Sequence, residues 1–344
     1  MNKNLFLTLA TSLFILNGCG SSTTNSSNAE SNSTHAFITD GTSLKIIDVS
    51  NASSPIIKGN VPLASSHFVS VGDGYAYVGE YASSDPYINI VDISSKTTPA
   101  ITTSISKNSS FGLVSDMYIA NNTAYTTDEY KGLHVLDIAN GQFQAQALTG
   151  SDAMSITLLN SEMFVLHQGS VGGIKKYNVS TPTAPSYVSQ IANPNFVDYN
   201  SYPNQTNTNS HHSWIENDGT NIYLANVKFQ NFIKFDNNLN QLSSVTTGGY
   251  VTALAIKGNY AYLTLSNTII PITGGFDGIK MIDLTTMSIV DSKTLVNTSG
   301  VAVQDNELFV TDSTGLHIYN ISNNNLSLIT TLASGNGNFI SLGE

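Results

Sequence analysis

The chain has 344 residues, of which 40% are hydrophobic and only 11% are charged. Its formal net charge of −11 comes without any cluster of lysine and arginine residues. Nucleic acid and an anionic membrane surface are therefore excluded as direct electrostatic partners. The apolar content excludes a chain that is disordered throughout, and the length suffices for one large all-β domain.

The first residues have the parts of an export signal. Lys3 gives a short basic region, and residues 5–16 form an apolar stretch that is too short to span a bilayer. Residues 16–19 (Leu-Asn-Gly-Cys) resemble the lipobox of bacterial lipoproteins. This resemblance implies cleavage after residue 18, acylation of Cys19 and, because Gly20 follows, sorting to the outer membrane of the cell envelope. The alternative is an ordinary secretory peptide with an incidental cysteine.

The next segment, residues 19–34, consists almost entirely of Ser, Thr and Asn and has no apolar periodicity. Such a segment is predicted to be a flexible tether. Cys19 is the single cysteine of the chain, so no disulfide can form within it. We therefore predict a lipoprotein signal peptide (1–18), a tether (19–34) and a folded domain (35–344).

One apolar motif that ends in Asp or Asn recurs through the folded domain. Its copies follow one another at intervals of about 40 residues, with one interval of about 58, a spacing typical of four-stranded propeller blades. The copies are Leu44–Asp48, Ile88–Asp92, Leu133–Asp137, Ile174–Asn178, Phe232–Asp236, Ile279–Asp283 and Leu316–Asn320. Because the closing residue recurs, we interpret it as a turn former.

Each copy belongs to a group of four short strands with turn signals between them. Around the second copy the strands are predicted at residues 68–71, 75–78, 88–93 and 100–105, with Asp73-Gly74 as a hairpin turn. Residues 35–40 lack an inner strand before them, and residues 339–344 lack a second strand after them. The sequence predicts an all-β, seven-bladed β-propeller of four-stranded blades, closed by the C-terminal strand (339–344) pairing with the first N-terminal strand (35–40).

Three segments carry a family likeness: residues 76–78 (Ala-Tyr-Val), residues 90–94 (Ile-Val-Asp-Ile-Ser) and Gly132–Ile138. They resemble the LVIVD-type propeller repeats of bacterial and archaeal surface proteins. Lys176 and Phe232–Asp236 depart from that pattern. The resemblance implies a propeller at the cell surface with a role in interactions.

Three long connections are predicted to leave one face of the propeller: residues 193–213, 266–278 and 80–87. We interpret this face as a binding surface for a protein or a glycan, the alternative being mobile loops without a role. The candidate binding-face residues are Glu80, Tyr81, Tyr87, Asp128, Tyr130, Tyr199, Tyr202, Trp214 and Phe276.

Aligning the copies places one residue of each blade at the mouth of the central channel. This column reads Asn338, His67, Ser115, Met154, His212, Thr252 and Ser299. His67 and His212 lie three blades apart, with His211 beside one of them, and imidazoles in a channel can bind a divalent metal or act as acid and base. A purely structural role for these histidines is the alternative.

Acidic residues end several predicted second strands, namely Asp40, Glu80, Asp128 and Asp312. A ring of carboxylates can hold Ca²⁺. The alternative is that each one caps the turn that follows it.

The sequence contains no G-x-S-x-G, P-loop, CxxC or HExxH motif. The favoured function is a monomeric, non-enzymatic binding module, tethered to the membrane through Cys19, that presents its loops to a protein or glycan. One alternative is a hydrolase-type or oxidase-type propeller metalloenzyme using His67, His211 and His212 with Glu80 or Asp128. Another is a scaffold subunit of an envelope complex.

Overall fold

The recurring motif forms the third strand of each of seven antiparallel sheets. The structure is a computed structural model that describes residues 35–80, 88–106, 112–120, 122–138, 142–148, 152–167, 172–193, 196, 213–227, 230–267 and 275–344. Each sheet has four strands and makes one blade, so the predicted all-β, seven-bladed propeller is confirmed. Among the described residues, no helix is long and apolar enough to cross a membrane.

Blades 1 to 3 contain the N-terminal strands and the last strand of the chain. Blade 1 consists of β28 (Phe339–Gly343), β1 (His35–Thr39), β2 (Ser43–Asp48) and β3 (Ile56–Pro62). Blade 2 consists of β4 (Ser66–Gly72), β5 (Tyr75–Glu80), β6 (Ile88–Asp92) and β7 (Ala100–Ile105). Blade 3 consists of β8 (Val114–Ala120), β9 (Thr123–Asp128), β10 (Gly132–Asp137) and β11 (Gln142–Leu148).

Blades 4 to 7 repeat the same strand order. Blade 4 consists of β12 (Ala153–Leu159), β13 (Glu162–His167), β14 (Gly173–Asn178) and β15 (Ser186–Ala192). Blade 5 consists of β16 (Trp214–Asn217), β17 (Ile222–Asn226), β18 (Asn231–Phe235) and β19 (Gln241–Thr246). Blade 6 consists of β20 (Tyr250–Lys257), β21 (Tyr260–Ser266), β22 (Gly278–Asp283) and β23 (Ser288–Thr294). Blade 7 consists of β24 (Gly300–Gln304), β25 (Glu307–Thr311), β26 (Leu316–Asn320) and β27 (Ser327–Leu332).

The ring closes where the two ends of the folded domain meet. β28 pairs antiparallel with β1, from His35 opposite Gly343 to Thr39 opposite Phe339. The inner strands contact one another in the order β28, β4, β8, β12, β16, β20, β24 and back to β28. The predicted closure by the C-terminal strand is therefore confirmed.

Tight turns join the strands as the sequence indicates. Between β4 and β5, Asp73 and Gly74 have φ values of 52° and 81°, the left-handed pair that a two-residue hairpin needs. At the ends of the third strands, Asp48 accepts a hydrogen bond from the Ser50 N–H at 3.0 Å, and the corresponding carboxylates and amides do the same in other blades. These contacts agree with the interpretation of this residue as a turn former.

The outermost strand of every blade carries a β-bulge against the third strand. In blade 2, Ile101 faces Val91 and Thr103 faces Ile90, which leaves Thr102 as the extra residue. A bulge interrupts the row of hydrogen-bonding groups that an edge strand would offer to another chain. Exposed apolar side chains on these strands, such as Ile101, therefore lie on a poor template for strand addition.

The two faces of the propeller carry different connections between strands. One face carries the connections from second to third strands and from each fourth strand to the next first strand, and we call it the loop face. The other, with the short hairpins from first to second strands, is the hairpin face. Because β1 is a second strand, the chain enters the propeller from the hairpin face at His35. Residues 1–34, which include the predicted signal peptide, Cys19 and tether, lie outside the described residues.

Candidate functional site

The predicted column at the channel mouth lies at a distinct backbone feature. In blades 2, 3, 4 and 6 it falls in a β-bulge at the start of the inner strand. These bulge residues are His67, Ser115, Met154 and Thr252. In blade 5 the pairing of Trp214 with Ala225 assigns Ser213 to this position rather than His212. The one-residue shift arises because the preceding loop follows no repeat, and His211 and His212 lie outside the described residues.

Hydroxyl groups around this column tie neighbouring blades together. Thr39 of blade 1 donates from Oγ1 to the His67 carbonyl of blade 2 at 2.6 Å. Ser115 of blade 3 donates to the Ala153 carbonyl of blade 4 at 2.8 Å, and Ser299 of blade 7 donates to the carbonyl of Gly337, in the connection that leads into β28 of blade 1. The position is thus used for inter-blade hydrogen bonds.

Aromatic side chains fill the channel just inside its loop-face mouth. The Trp214 ring of blade 5 lies 5.7 Å from the Phe339 ring of blade 1, across the axis. Phe339 also contacts Phe68 at 5.7 Å and His67 at 4.8 Å, both edge-on. We call Phe68, Trp214 and Phe339 the aromatic plug. His67 therefore packs against the Phe339 ring, and buried aromatic rings meet across the axis at this level of the channel.

A polar layer lies beside and beneath the plug on strands β8, β12 and β16. The Asp116 carboxylate accepts from Ser155 Oγ at 2.8 Å and from the Ile156 N–H at 3.0 Å. Glu216 Oε1 accepts from Thr157 Oγ1 and from the Asn217 N–H, each at 2.9 Å. Burial, supported by the nearby Asp116 charge and opposed by these hydrogen bonds, raises the pKa of Glu216 to about 8.

Sequence reasoning missed this layer. The sequence feature that could have indicated this polar layer is a carboxylate inside a predicted inner strand, at a position where the other blades carry apolar or small residues. Asp116 corresponds by register to Phe68 and Ala253, and Glu216 corresponds to Ala255. A buried carboxylate at such a position requires hydrogen-bond donors, and the unpaired channel edge of an inner strand supplies them.

The acidic residues that end the second strands do not converge on one point. Asp128 accepts from the N–H groups of Gly112, Tyr130 and Lys131, at 2.6, 2.9 and 3.0 Å, and lies 3.4 Å from His134 Nε2. The corresponding acids of blades 1 and 7, Asp40 and Asp312, likewise accept from the turns that follow them. This geometry favours turn capping over a shared ion. Among the described residues, no group of three or more His, Cys, Asp and Glu side chains is arranged to hold a metal ion.

Glu80 differs from these capping acids because its local donor is a neutral side chain. Its carboxyl accepts from Asn89 Nδ2 at 2.7 Å, and the residue is only 3% exposed. Burial raises the pKa of Glu80 to about 7, in opposition to the hydrogen bond from Asn89. The folded protein therefore keeps this carboxyl protonated to a higher pH than the unfolded chain does.

Replacing this carboxyl tests the effect of its raised pKa on stability. Between the ordinary pKa of 4.5 and the folded value of about 7, unfolding releases a proton, so the wild type loses stability as the pH rises through this window. Glu80→Gln keeps an acceptor for Asn89 but cannot ionise. We expect urea denaturation to show the variant gaining stability relative to wild type from pH 5 to pH 8. Asp92→Asn, at an exposed turn, should show no such change of relative stability with pH. An equal change in both variants would contradict the raised pKa of Glu80.

The predicted aromatic binding residues occupy different environments. Tyr130 is 55% exposed at the loop face. Phe276 is partly buried against the core, with Lys280 Nζ 4.6 Å from its ring centroid. Trp214 is 1% exposed, so its prediction as a binding-face residue is corrected: its ring fills the channel. Tyr81, Tyr87, Tyr199 and Tyr202 lie outside the described residues.

The family model of the LVIVD repeat matches residues 34–62, 65–106 and 248–270. The first two matches cover the strands that the chain contributes consecutively to blades 1 and 2, and the third covers the first two strands of blade 6. The chain therefore contains LVIVD repeats and folds as a seven-bladed propeller. A search among curated proteins finds no match.

Several solved structures share the fold at low sequence identity. A protein from Lactobacillus plantarum is 14% identical, with a TM-score of 0.72, and the match covers 90% of this chain and 99% of that one. A candidate 6-phosphogluconolactonase from Bacteroides uniformis is 10% identical, with a TM-score of 0.69 and coverage of 90% and 100%. AztD from Citrobacter koseri, in its apo form, is 9% identical, with a TM-score of 0.56 and coverage of 90% and 98%. At these identities the likeness establishes the fold and leaves the function open.

Proposed function

We propose that this LVIVD-repeat propeller is a membrane-tethered binding module of the cell envelope that presents its loop face to a protein or a glycan. The observation that carries the proposal is the aromatic plug: the buried rings of Trp214 and Phe339 meet across the axis near the channel mouth, so the loops around the plug are the part of this face left for a partner. The tether and the lipid on Cys19 are parts of the same proposal, as is an outer-membrane location.

The direction of the chain supports the choice of face. The polypeptide enters β1 from the hairpin face, on the side opposite the long connections. A tether that leaves there would turn the hairpin face toward the membrane and the loop face away from it. In addition, the acids that end the second strands are bound locally: Asp40, Asp128 and Asp312 to the turns that follow them, and Glu80 to Asn89. These four carboxylates are therefore poorly placed to act as a shared catalytic group.

A pair of exposed tyrosines provides the test. Tyr130 lies at the loop face and is 55% exposed, whereas Tyr187 lies on the outer strand β15 and is 57% exposed. With a photo-crosslinking residue in place of either one in cells, we expect a discrete adduct at position 130 and none at position 187. Immunoblotting and carbohydrate staining of the adduct would separate a protein partner from a glycan.

The same experiment can reject the proposal. Absence of an adduct at position 130, or the same adduct at both positions, would contradict a binding role for the loop face. Adducts with several envelope proteins from both positions would instead indicate a scaffold subunit.

A further inference from the structure

The channel holds two buried carboxylates that no part of the proposed function uses. Asp116 of blade 3 and Glu216 of blade 5 flank the inner strand of blade 4, and each is bonded to a hydroxyl of that strand, Ser155 or Thr157. Ser155 Oγ also accepts from the Ile215 N–H of blade 5 at 3.2 Å, which links the three strands. The two acids therefore belong to one continuous polar cluster beside the axis.

One carboxylate oxygen of this cluster has no hydrogen-bond partner among the described residues. Glu216 is 3% exposed, and within the described part of the chain its Oε2 atom is buried without a hydrogen bond. A protonated Oε2 would need an acceptor, and an ionised Oε2 would need a counter-charge, because a buried polar group without either is costly. The arrangement thus indicates a missing ligand at Oε2.

The surrounding groups define the chemistry of that ligand. The N–H groups of Ile156, Ile215 and Asn217 point into the channel, since they bond to Asp116, Ser155 and Glu216. In an antiparallel strand, the carbonyl of a residue points to the same side as its N–H. Besides the carboxylates and hydroxyls, backbone carbonyl oxygens therefore face this space, and all of these are hard oxygen donors.

We propose that the channel binds one Ca²⁺ ion beneath the aromatic plug, with Glu216 Oε2 as a direct ligand. Asp116 supplies the second negative charge, and channel-facing carbonyls complete an oxygen shell of the kind that Ca²⁺ accepts. The cluster offers no thiolate or imidazole for zinc, and Mg²⁺ releases its waters too reluctantly to suit so buried a site. This inference is independent of the proposed function.

A calcium ion can reach this site from the hairpin face. The residues of blades 1 and 2 at the same register as Glu216 are Ser341 and Ser70. Both are partly exposed, whereas the plug residues at the other end are buried. An ion would therefore enter from the side of the first-to-second strand hairpins.

The test is calcium titration of the whole chain after removal of metal by a chelator. We expect isothermal titration calorimetry to give one Ca²⁺ per chain. We also expect CaCl₂ to raise the melting temperature more than MgCl₂ does at the same concentration. Glu216→Gln should weaken Ca²⁺ binding at least tenfold. The control, Asp283→Asn, changes a carboxylate bonded to the Thr285 and Thr286 N–H groups at the hairpin face and should bind as wild type does.

Specific outcomes overturn the site. It is excluded if wild type takes up no Ca²⁺ at millimolar concentration, or if Glu216→Gln binds as tightly as wild type. A loss in Asp283→Asn equal to that in Glu216→Gln would also exclude it. If Glu216→Gln does not fold, Glu216→Asp takes its place: it keeps the charge with a shorter reach, and unchanged affinity in this variant would argue against a direct ligand.

Discussion

Deleting residues 337–344 is expected to abolish cooperative folding of the propeller. The deletion removes β28, whose side chains Phe339, Ile340 and Leu342 are buried. Burial of each such side chain contributes about 1.5–3 kcal/mol, so the loss approaches the whole stability of a typical domain, about 5–15 kcal/mol. It also exposes the inner edge of β1 and opens the ring, which adds an aggregation risk.

Circular dichroism during thermal unfolding and size-exclusion chromatography measure this effect. The truncated protein should lack the sharp transition of wild type or should aggregate. Removing Glu344 alone, an exposed residue beyond the end of β28, is the matched control and should leave the transition unchanged. A truncated protein that melts like wild type would contradict closure by the C-terminal strand.

The second large effect is expected from the aromatic plug. Trp214→Ala removes the largest fully buried side chain of the described residues and leaves a cavity opposite Phe339. Large-to-small changes of a buried Trp cost about 3–5 kcal/mol. We therefore expect the midpoint of urea denaturation, monitored by circular dichroism, to fall to a much lower urea concentration. Trp214→Phe should cost less because an aromatic ring remains in the channel.

The control for this variant is Tyr187→Ala, which removes an exposed ring and should change stability by no more than about 0.5 kcal/mol. Because Trp214 is the single tryptophan, its fluorescence in wild type also reports on the plug directly. Fully solvent-exposed emission in the folded protein, or equal stability of Trp214→Ala and Tyr187→Ala, would refute the packing of Trp214 against Phe339.

The blade architecture follows from local sequence signals. Alternating strands and turn residues that tolerate positive φ, such as Asp73 and Asn160, specify each hairpin. The unfinished copies at the two ends identify the closing blade. Even the channel-mouth column is recognisable, because the alignment places His67 and Ser115 where the structure has bulges.

The interior of the channel could not be predicted in the same way. Comparing copies of a repeat relates residues at equivalent positions, whereas the contact between Trp214 and Phe339 joins two non-equivalent blades across the axis. Ser213 replaces His212 in the column because no repeat constrains the connection before β16. Asp116 and Glu216 matter because they depart from the pattern that makes the fold recognisable.

The position of β1 between β28 and β2 has a mechanical consequence. Five residues of β1 pair on each side, from His35 to Thr39, so a pull on the N-terminus directed along the strand loads both rows of hydrogen bonds in shear. A pull across the strand would open them one pair at a time, at much lower force. A propeller held by its N-terminal end is thus anchored through its closing blade, and its resistance to extension depends on the direction of the load.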